Sequence, residues 1–139
     1  MNALDVNYLS SLSGLFVTGT DTGIGKTHAS VTLIRALRSA GRRVAGMKPV
    51  ASGCAFIDGQ WRNEDALALM AAAESGADYA TVNPYALPVP TAPQLAAAQA
   101  GVTIELPVLQ EAYRKLAGQA DFVLVEGVGG WLAPLSDSL

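Results

Sequence analysis

The sequence has few charges, one cysteine and no long apolar run, and each shortage excludes a class of protein. Its 9 basic and 12 acidic residues give a net charge of −3, without the basic surplus by which proteins bind nucleic acid or anionic lipid. The single cysteine, Cys54, has no disulfide partner within the chain. No apolar run approaches the roughly 20 residues of a membrane-spanning helix, and residues 1–13 lack the Lys or Arg of a secretory signal. We therefore expect a cytoplasmic protein that binds neither nucleic acid nor membranes.

What the sequence does contain is an alternation of predicted strands and helices in a chain that is half apolar. Strands alternating with helices favour an α/β fold, a parallel sheet with right-handed crossovers and helices on both faces. A segment with four prolines is predicted to be a long irregular loop, of the kind that is usually functional in a compact domain. The predicted strands are residues 15–18, 43–50 and 121–126, the predicted helices are residues 26–40, 65–75, 94–100 and 106–118, and the loop is residues 76–93.

The chain is predicted to form one domain preceded by a short extension. Residues 1–13 show no clear period, so we expect a mobile or loosely packed N-terminal extension. Residues 14–139 form the predicted domain. The chain ends soon after its third predicted strand. We therefore expect the outer side of that strand to be uncovered and the domain to be incomplete at its C-terminus.

A glycine-rich loop, GTDTGIGKT at residues 19–27, joins the first strand to the first helix. Its small residues allow backbone N–H groups to wrap a phosphate beside the helix N-terminus. Lys26 adds a charge for the β- and γ-phosphates, and the Thr27 hydroxyl is placed to ligate Mg²⁺. The strict pattern G-x-x-x-x-G-K-[ST] is missed at one position, because Thr20 replaces its first glycine and Gly19 lies one place earlier. The flanking strand and helix still indicate an ATP-binding P-loop rather than an incidental glycine-rich turn.

Two carboxylates and one lysine outside the loop are candidates for the same site. Glu126 ends an apolar strand, at the edge where open α/β sheets bind ligands, so it is either a metal ligand or an ordinary charge in solvent. Asp65 opens a helix for which Asn63 is the predicted N-cap. It is either a metal ligand or a carboxylate that caps and stabilises the helix N-terminus, a role for which Glu64 competes. Lys48 follows the second strand, and taken alone it is more typical of a solvated lysine than of a catalytic one.

Weaker signals surround these candidates. Ser52 and Gly53 follow the second strand and could bind an anion, as many surface loops could. His28 begins the first helix without a nearby carboxylate, so we assign its side chain no chemistry, although its backbone N–H could face a phosphate. Cys54 has no recognisable histidine partner and is interpreted as a bystander.

Five segments together resemble dethiobiotin synthetase, in the family's order and across residues 15–137. The second and fifth segments are far more specific than a P-loop alone. The resemblance implies a P-loop NTPase fold and, for the full domain, a homodimer. It implies closure of the ureido ring of dethiobiotin from 7,8-diaminononanoate, CO₂ and ATP, with Mg²⁺. The five segments are FVTGTDTGIGKT, GMKPVASG, RNEDALAL, DYATVNPYALPVPTAPQLAA and LVEGVGGWLAPLSD.

The resemblance also implies a role for each candidate residue. Lys26 would contact the β- and γ-phosphates, and Lys48 would be the active-site lysine that holds a substrate carbamate and the transferring phosphoryl group. Ser52 would bind the diamine, and Thr22 would lie near the same carbamate. The implied Mg²⁺ ligands are Thr27, Asp65 and Glu126. The residues implied to bind the nucleotide with its metal are Thr22, Gly23, Ile24, Gly25, Lys26, Thr27, His28, Asp65, Glu126, Gly127, Val128 and Gly129.

Two features depart from the family pattern. Gly23 stands where some members have a glutamate, which removes an acidic contact but leaves the backbone cradle intact. Family members also continue beyond the length of this chain, into the part that completes the sheet, binds the adenine and builds much of the dimer interface. We therefore expect the isolated 139-residue chain to be weakly stable and nearly inactive.

Three other interpretations compete with this one. A cobyrinate diamide synthase of the amidotransferase type also activates a carboxylate with ATP, but it is expected to carry a separate glutaminase domain. A nucleotide-switched ATPase of the partition type usually has a second lysine early in the P-loop, where this chain has Thr20 and Asp21. A truncated gene product without activity of its own is compatible with the family resemblance.

Overall fold

A parallel three-stranded sheet forms the centre of the molecule. The computed structural model of the chain describes residues 8, 11–20, 25–130 and 133–135. The elements are β1 (Gly14–Val17), α1 (Lys26–Ser39), β2 (Val44–Met47), β3 (Val50–Ala51), β4 (Ala55–Ile57), β5 (Gln60–Arg62), α2 (Glu64–Ala73), α3 (Tyr79–Val82), β6 (Tyr85–Ala86), α4 (Pro93–Gln99), α5 (Leu106–Gln119) and β7 (Phe122–Glu126). The central sheet has the order β1-β7-β2, with both pairings parallel. β7 therefore pairs on both sides, and the expectation that the third strand has an uncovered outer side was wrong.

Helices cover both faces of this sheet, which confirms the predicted α/β fold. Strands β2 and β7 are almost fully buried, as in parallel sheets that are covered on both sides. One core cluster lies between the sheet and helices α1 and α2, and a second lies between the opposite face and helices α3 and α5. Among the described residues, no helix is both long and apolar enough to cross a membrane.

Helix α2 begins where the predicted N-cap places it. The Asn63 side chain accepts a hydrogen bond from the Ala66 N–H at 3.1 Å, which satisfies one of the free donors of the first turn. Glu64 and Asp65 follow in that turn, where negative charge is favourable. The helix ends slightly before the predicted residue 75, because Glu74 adopts a left-handed conformation with φ of 47°.

The second predicted strand and the proline-rich loop both differ from the prediction. Residues 43–50 do not form one strand: β2 ends at Met47, and β3 instead pairs with β6 in a separate small sheet. Residues 76–93 are not wholly irregular, because they contain α3 and β6. The side chain of Asp78 accepts from the Thr81 N–H at 3.1 Å and so caps this four-residue helix.

A short antiparallel hairpin, β4 with β5, was not predicted at all. Its turn residues, Asp58 and Gly59, have φ values of 52° and 80°. Two consecutive positive φ values are those of the type I′ turn, for which Asp-Gly is a preferred sequence. The Asp-Gly dipeptide was therefore a usable signal for the hairpin.

The structure describes only residues 8 and 11–13 of the predicted N-terminal extension. Leu12 packs against the core cluster of helices α1 and α2, and its carbonyl accepts from Arg42 Nη2 at 3.1 Å. Leu12 is therefore attached to the domain, while the boundary at residue 13 stays a prediction.

Replacing Gly46 by alanine is expected to destabilise the fold by about 1–3 kcal/mol, the usual cost of overpacking a core. A Cβ atom at Gly46 would lie 2.8 Å from Leu69 Cβ and 3.4 Å from Ile34 Cδ1. Both neighbours are fully buried, so neither can move aside easily. Urea denaturation followed by circular dichroism measures the loss.

Gly118→Ala is the matched control for this substitution. Gly118 lies in helix α5, and a Cβ atom added there would meet nothing within 4 Å. Alanine should therefore raise stability, by up to about 1 kcal/mol, through its higher helix propensity. Equal unfolding midpoints for Gly46→Ala and the unmodified chain would contradict the tight strand–helix contact.

Candidate active site

A cleft of about 790 Å³ opens where the P-loop meets the carboxyl ends of the strands. This edge is where open α/β sheets bind their ligands. The predicted residues Gly25, Lys26, Thr27, His28, Lys48, Ser52, Asp65, Val128 and Gly129 line the cleft. Three more predicted residues, Thr22, Gly23 and Ile24, lie outside the described residues. Glu126 and Gly127 are not part of the lining, and they contact it through Lys48.

Helix α1 begins at the cleft, and its N-cap residue is a glycine without a side chain to cap it. Gly25 occupies the N-cap position with φ of 91°, a conformation that favours glycine. Within the described part of the chain, no side chain caps the first helical N–H groups. Free N–H groups at a helix N-terminus are suited to an anion such as phosphate. Lys26 Nζ donates to the carbonyl of Gly129. This bond connects the P-loop to the glycine-rich loop after β7.

Glu126 is the buried centre of the site. Its side chain is 0% exposed, and its Oε1 accepts from Thr27 Oγ1 at 2.7 Å and from Lys48 Nζ at 3.0 Å. Its Oε2 is also buried and has no hydrogen-bond partner among the described residues. A buried carboxylate requires a counter-charge, and Lys48 supplies it. The alternatives in which Glu126 and Lys48 are ordinary solvated charges were therefore wrong.

The Lys48 ammonium lies between two carboxylates from different elements. Besides Glu126 it donates to Asp65 Oδ2 at 3.1 Å and to the Gly127 carbonyl at 3.3 Å. The Lys48 side chain is 5% exposed, whereas that of Asp65 is 42% exposed and faces the cleft. Asn63 is the side-chain cap of α2, so Asp65 is a favourable charge of the first turn and not the capping residue. The arrangement places one positive and two negative charges beside the P-loop.

The oxygen atoms around Lys48 fit a magnesium ion that also binds nucleotide phosphates. Mg²⁺ prefers hard oxygen ligands and is commonly held by one or two carboxylates together with substrate phosphates. Thr27, Asp65 and Glu126 provide one hydroxyl and two carboxylates, and Glu126 Oε2 has no partner in the part of the chain that the structure describes. The described part of the chain has no group of three or more His, Cys, Asp or Glu residues that could hold a metal by itself.

The loop between β3 and β4 contains one residue that lines the cleft and one that is buried. Ser52 lines the cleft, as expected for a residue that contacts a ligand. Cys54 is buried, and its Sγ lies 3.6 Å from the carbonyl of Ala51. Burial raises the pKa of the Cys54 thiol, which keeps it protonated and unreactive. The interpretation of Cys54 as a bystander agrees with this environment.

Sequence reasoning missed several residues of the cleft wall. Asn63 was predicted only as a helix cap, yet it also lines the cleft. Residues 90–93, from the end of the proline-rich loop, form another part of the wall. The length and proline content of that loop were the available signal, because such loops in compact domains are usually functional.

Comparisons with known proteins agree with this geometry. A protein-family model described as an AAA domain matches residues 13–139. The ATP-dependent dethiobiotin synthetase BioD of Xanthomonas euvesicatoria pv. vesicatoria (strain 85-10) is 61% identical over 124 residues, which are 89% of this chain and 55% of that protein. The protein of the same name from Xylella fastidiosa (strain 9a5c) is 57% identical over 129 residues, 93% of this chain and 57% of that protein. The corresponding protein of Xanthomonas axonopodis pv. citri (strain 306) is 60% identical over 124 residues.

These matches confirm the resemblance to dethiobiotin synthetase that the sequence segments indicated. The chain spans about half the length of the curated relatives that it matches. The matched region includes the P-loop, the central sheet and the glycine-rich loop after β7. The chain therefore belongs to the AAA domain family, and the curated relatives that it matches are ATP-dependent dethiobiotin synthetases.

Proposed function

We propose that this chain contributes to the ATP-dependent closure of the ureido ring of dethiobiotin from 7,8-diaminononanoate and CO₂, a step of biotin biosynthesis. The observation that carries the proposal is the Lys48 ammonium between Asp65 and Glu126, at the mouth of a P-loop. The names of the relatives support the same activity. By the same resemblance, the proposed setting is a cytoplasmic homodimer formed by the full domain.

The proposed reaction needs charge and positioning rather than a nucleophilic side chain. CO₂ adds to one amine of the diamine, which loses a proton and becomes a carbamate. A carbamate oxygen attacks the γ-phosphorus of ATP and ADP leaves, which produces a carbamic–phosphoric anhydride. The second amine attacks the carbonyl carbon, closes the ring and releases phosphate. Holding two amines and the γ-phosphate together supplies much of such a rate enhancement.

The lysines and the neighbouring oxygens have separate proposed roles. Lys26 holds the β- and γ-phosphates, while Lys48 faces the carbamate and the transferring phosphoryl group. Ser52 and Thr22 bind the diamine and its carbamate. Thr27, Asp65 and Glu126 hold Mg²⁺, which neutralises charge on the phosphates when bound.

Incorporation of labelled bicarbonate into acid-stable product tests the proposal. The chain at high concentration, with 7,8-diaminononanoate and Mg-ATP, is expected to fix a small amount of label only when both compounds are present. Lys48→Ala should reduce fixation to background, whereas Lys115→Ala, on the exposed side of helix α5, should leave it unchanged. Fixation that does not require the diamine would contradict the proposed reaction.

Nucleotide binding measured on the same samples separates the remaining interpretations. Bound Mg-ATP without any fixation would mean that the chain holds only part of a site. Failure to bind nucleotide would favour the inactive gene product among the competing interpretations.

A further inference from the structure

The segment DYATVNPYAL, residues 78–87, matches the family but has no role in the proposed reaction. It contains a buried asparagine, Asn83, whose side chain is only 2% exposed. Asn83 Nδ2 donates to the Lys48 carbonyl at 2.7 Å and to the Tyr85 carbonyl at 3.3 Å. The Lys48 N–H donates in turn to the Val82 carbonyl at 2.8 Å. Both backbone polar groups of Lys48 are therefore bonded to this segment.

Tyr79 extends the same network to the helix that carries Asp65. Its hydroxyl donates to Asn83 Oδ1 at 2.7 Å and accepts from the Asn63 N–H at 2.7 Å. Burial raises the pKa of Tyr79, so the hydroxyl keeps the proton that it donates. The Arg62 guanidinium lies over the Tyr79 ring, 5.3 Å from its centroid, and fixes the ring in place.

A continuous chain of hydrogen bonds thus joins the two segments that hold opposite charges. It runs from the Lys48 carbonyl through Asn83 and Tyr79 to Asn63, the N-cap of helix α2. Asp65 lies two residues further along, with its Oδ2 at 3.1 Å from Lys48 Nζ. No hydrogen bond described for Asn83 or Tyr79 involves the P-loop or Glu126.

We propose that Asn83 and Tyr79 are positioning residues that set Lys48 and Asp65 at their working distance. Their significance for catalysis rests on the proposed function, whereas their effect on the position of the Lys48 amine does not. This network is buried at Asn83 and half-buried at Tyr79. Hydrogen-bonded networks that are shielded from water rigidify the groups that they hold, and a small displacement of a reacting group has a large effect on rate. Neither residue is expected to touch the substrate.

Tyr79→Phe and Tyr85→Phe form a matched pair for the test. Each hydroxyl accepts from a backbone N–H at the start of a helix, that of Asn63 for Tyr79 and that of Glu105 for Tyr85. Only the Tyr79 hydroxyl is also bonded to Asn83. Phenylalanine keeps the ring in both variants, so both are expected to fold, and Asn83→Ala is a second, more severe variant.

The reactivity of Lys48 toward acetic anhydride is the first measurement. Acetylation of the ligand-free chain is followed by mass spectrometry of peptides, with Lys115 as the internal reference. We expect Tyr79→Phe and Asn83→Ala to raise the acetylation rate of Lys48 at least threefold, because its amine is less firmly held among the carboxylates. Tyr85→Phe should leave the rate unchanged. The double variant of Tyr79 and Asn83 should react no faster than Asn83→Ala, because both substitutions break one chain of bonds.

The proposal is overturned if folded Tyr79→Phe shows the acetylation rate of the unmodified chain, or if Tyr85→Phe raises the rate equally. Where fixation of labelled bicarbonate is measurable, Tyr79→Phe should lower kcat several-fold with little change in the KM for ATP, because the P-loop is untouched. Altered Lys48 reactivity in a chain that neither binds Mg-ATP nor fixes label would support the positioning role and contradict the proposed function. Fixation by a Tyr79→Phe chain with unchanged Lys48 reactivity and unchanged kcat would support the proposed function and contradict the positioning role.

Discussion

Lys48→Met is expected to destabilise the chain by about 3–5 kcal/mol, because removing one partner of a buried ion pair leaves an uncompensated buried charge. Lys48 is the only cation within hydrogen-bond distance of the buried Glu126 carboxylate among the described residues. Methionine fills a similar volume, so the loss reflects charge rather than a cavity. A change of this size is enough to unfold a marginally stable domain. Urea or thermal denaturation measures it.

A double-mutant cycle shows whether the buried charge is the cause. Glu126→Gln in the Lys48→Met background removes that charge and keeps the Glu126 shape, so the double variant should recover most of the lost stability. The coupling between two contacting residues is commonly about 0.5–3 kcal/mol, and a buried ion pair should lie at or above the upper end of that range. Lys115→Met, on the exposed surface of helix α5, is the control and should have little effect. Additive effects of the two substitutions would contradict the ion-pair explanation.

Lys26→Met is expected to weaken the binding of Mg-ATP by roughly 30- to 1000-fold, a loss of about 2–4 kcal/mol for an enclosed charge contact. Lys26 lies in the cleft at the N-terminus of helix α1, where an ammonium and free N–H groups can bind the same phosphates. Its one described bond, to the Gly129 carbonyl, is only partly buried, so stability should change little. Isothermal titration calorimetry measures the dissociation constant.

The matched comparison for Lys26→Met uses nucleotides that differ in their number of phosphates. AMP lacks the β- and γ-phosphates that Lys26 is proposed to contact. The substitution should therefore weaken the binding of ATP much more than the binding of AMP. Lys115→Met should leave both affinities unchanged. An equal loss for ATP and AMP would mean that the substitution acts on the shape of the loop rather than through a phosphate contact.

Local features of the site were predictable because they depend on short stretches of chain. Helix α1 begins at Lys26, immediately after the loop glycines, as the sequence predicts. Asn63 caps helix α2 through its own side chain, as its position before Glu64 and Asp65 indicated. The apolar run before Glu126 is the buried strand β7. Each of these results follows from propensity, capping or patterning over a few residues.

Other features were missed because some short segments form a helix or strand only through contacts with the rest of the domain. Helix α3 has four residues, too few to be stable alone, and it exists because Asp78 caps it and Val82 packs against the sheet. The strand β6 has two residues and depends on pairing with β3. Prolines in this region suggested an irregular loop, although none of them interrupts α3 or β6.

The sequence by itself determined that this chain forms an α/β domain with a P-loop, and its five family segments determined which relatives it resembles. Only the tertiary structure decided that Lys48, Asp65 and Glu126 lie together at one cleft. Glu126 lies 78 residues after Lys48 and 99 after Thr27, and it meets both because β7 inserts between β1 and β2. Strand order is set by the packing of helices on both faces, which no local pattern encodes. Lys48 became a candidate site residue for the same reason, because the fold buries this lysine beside two carboxylates.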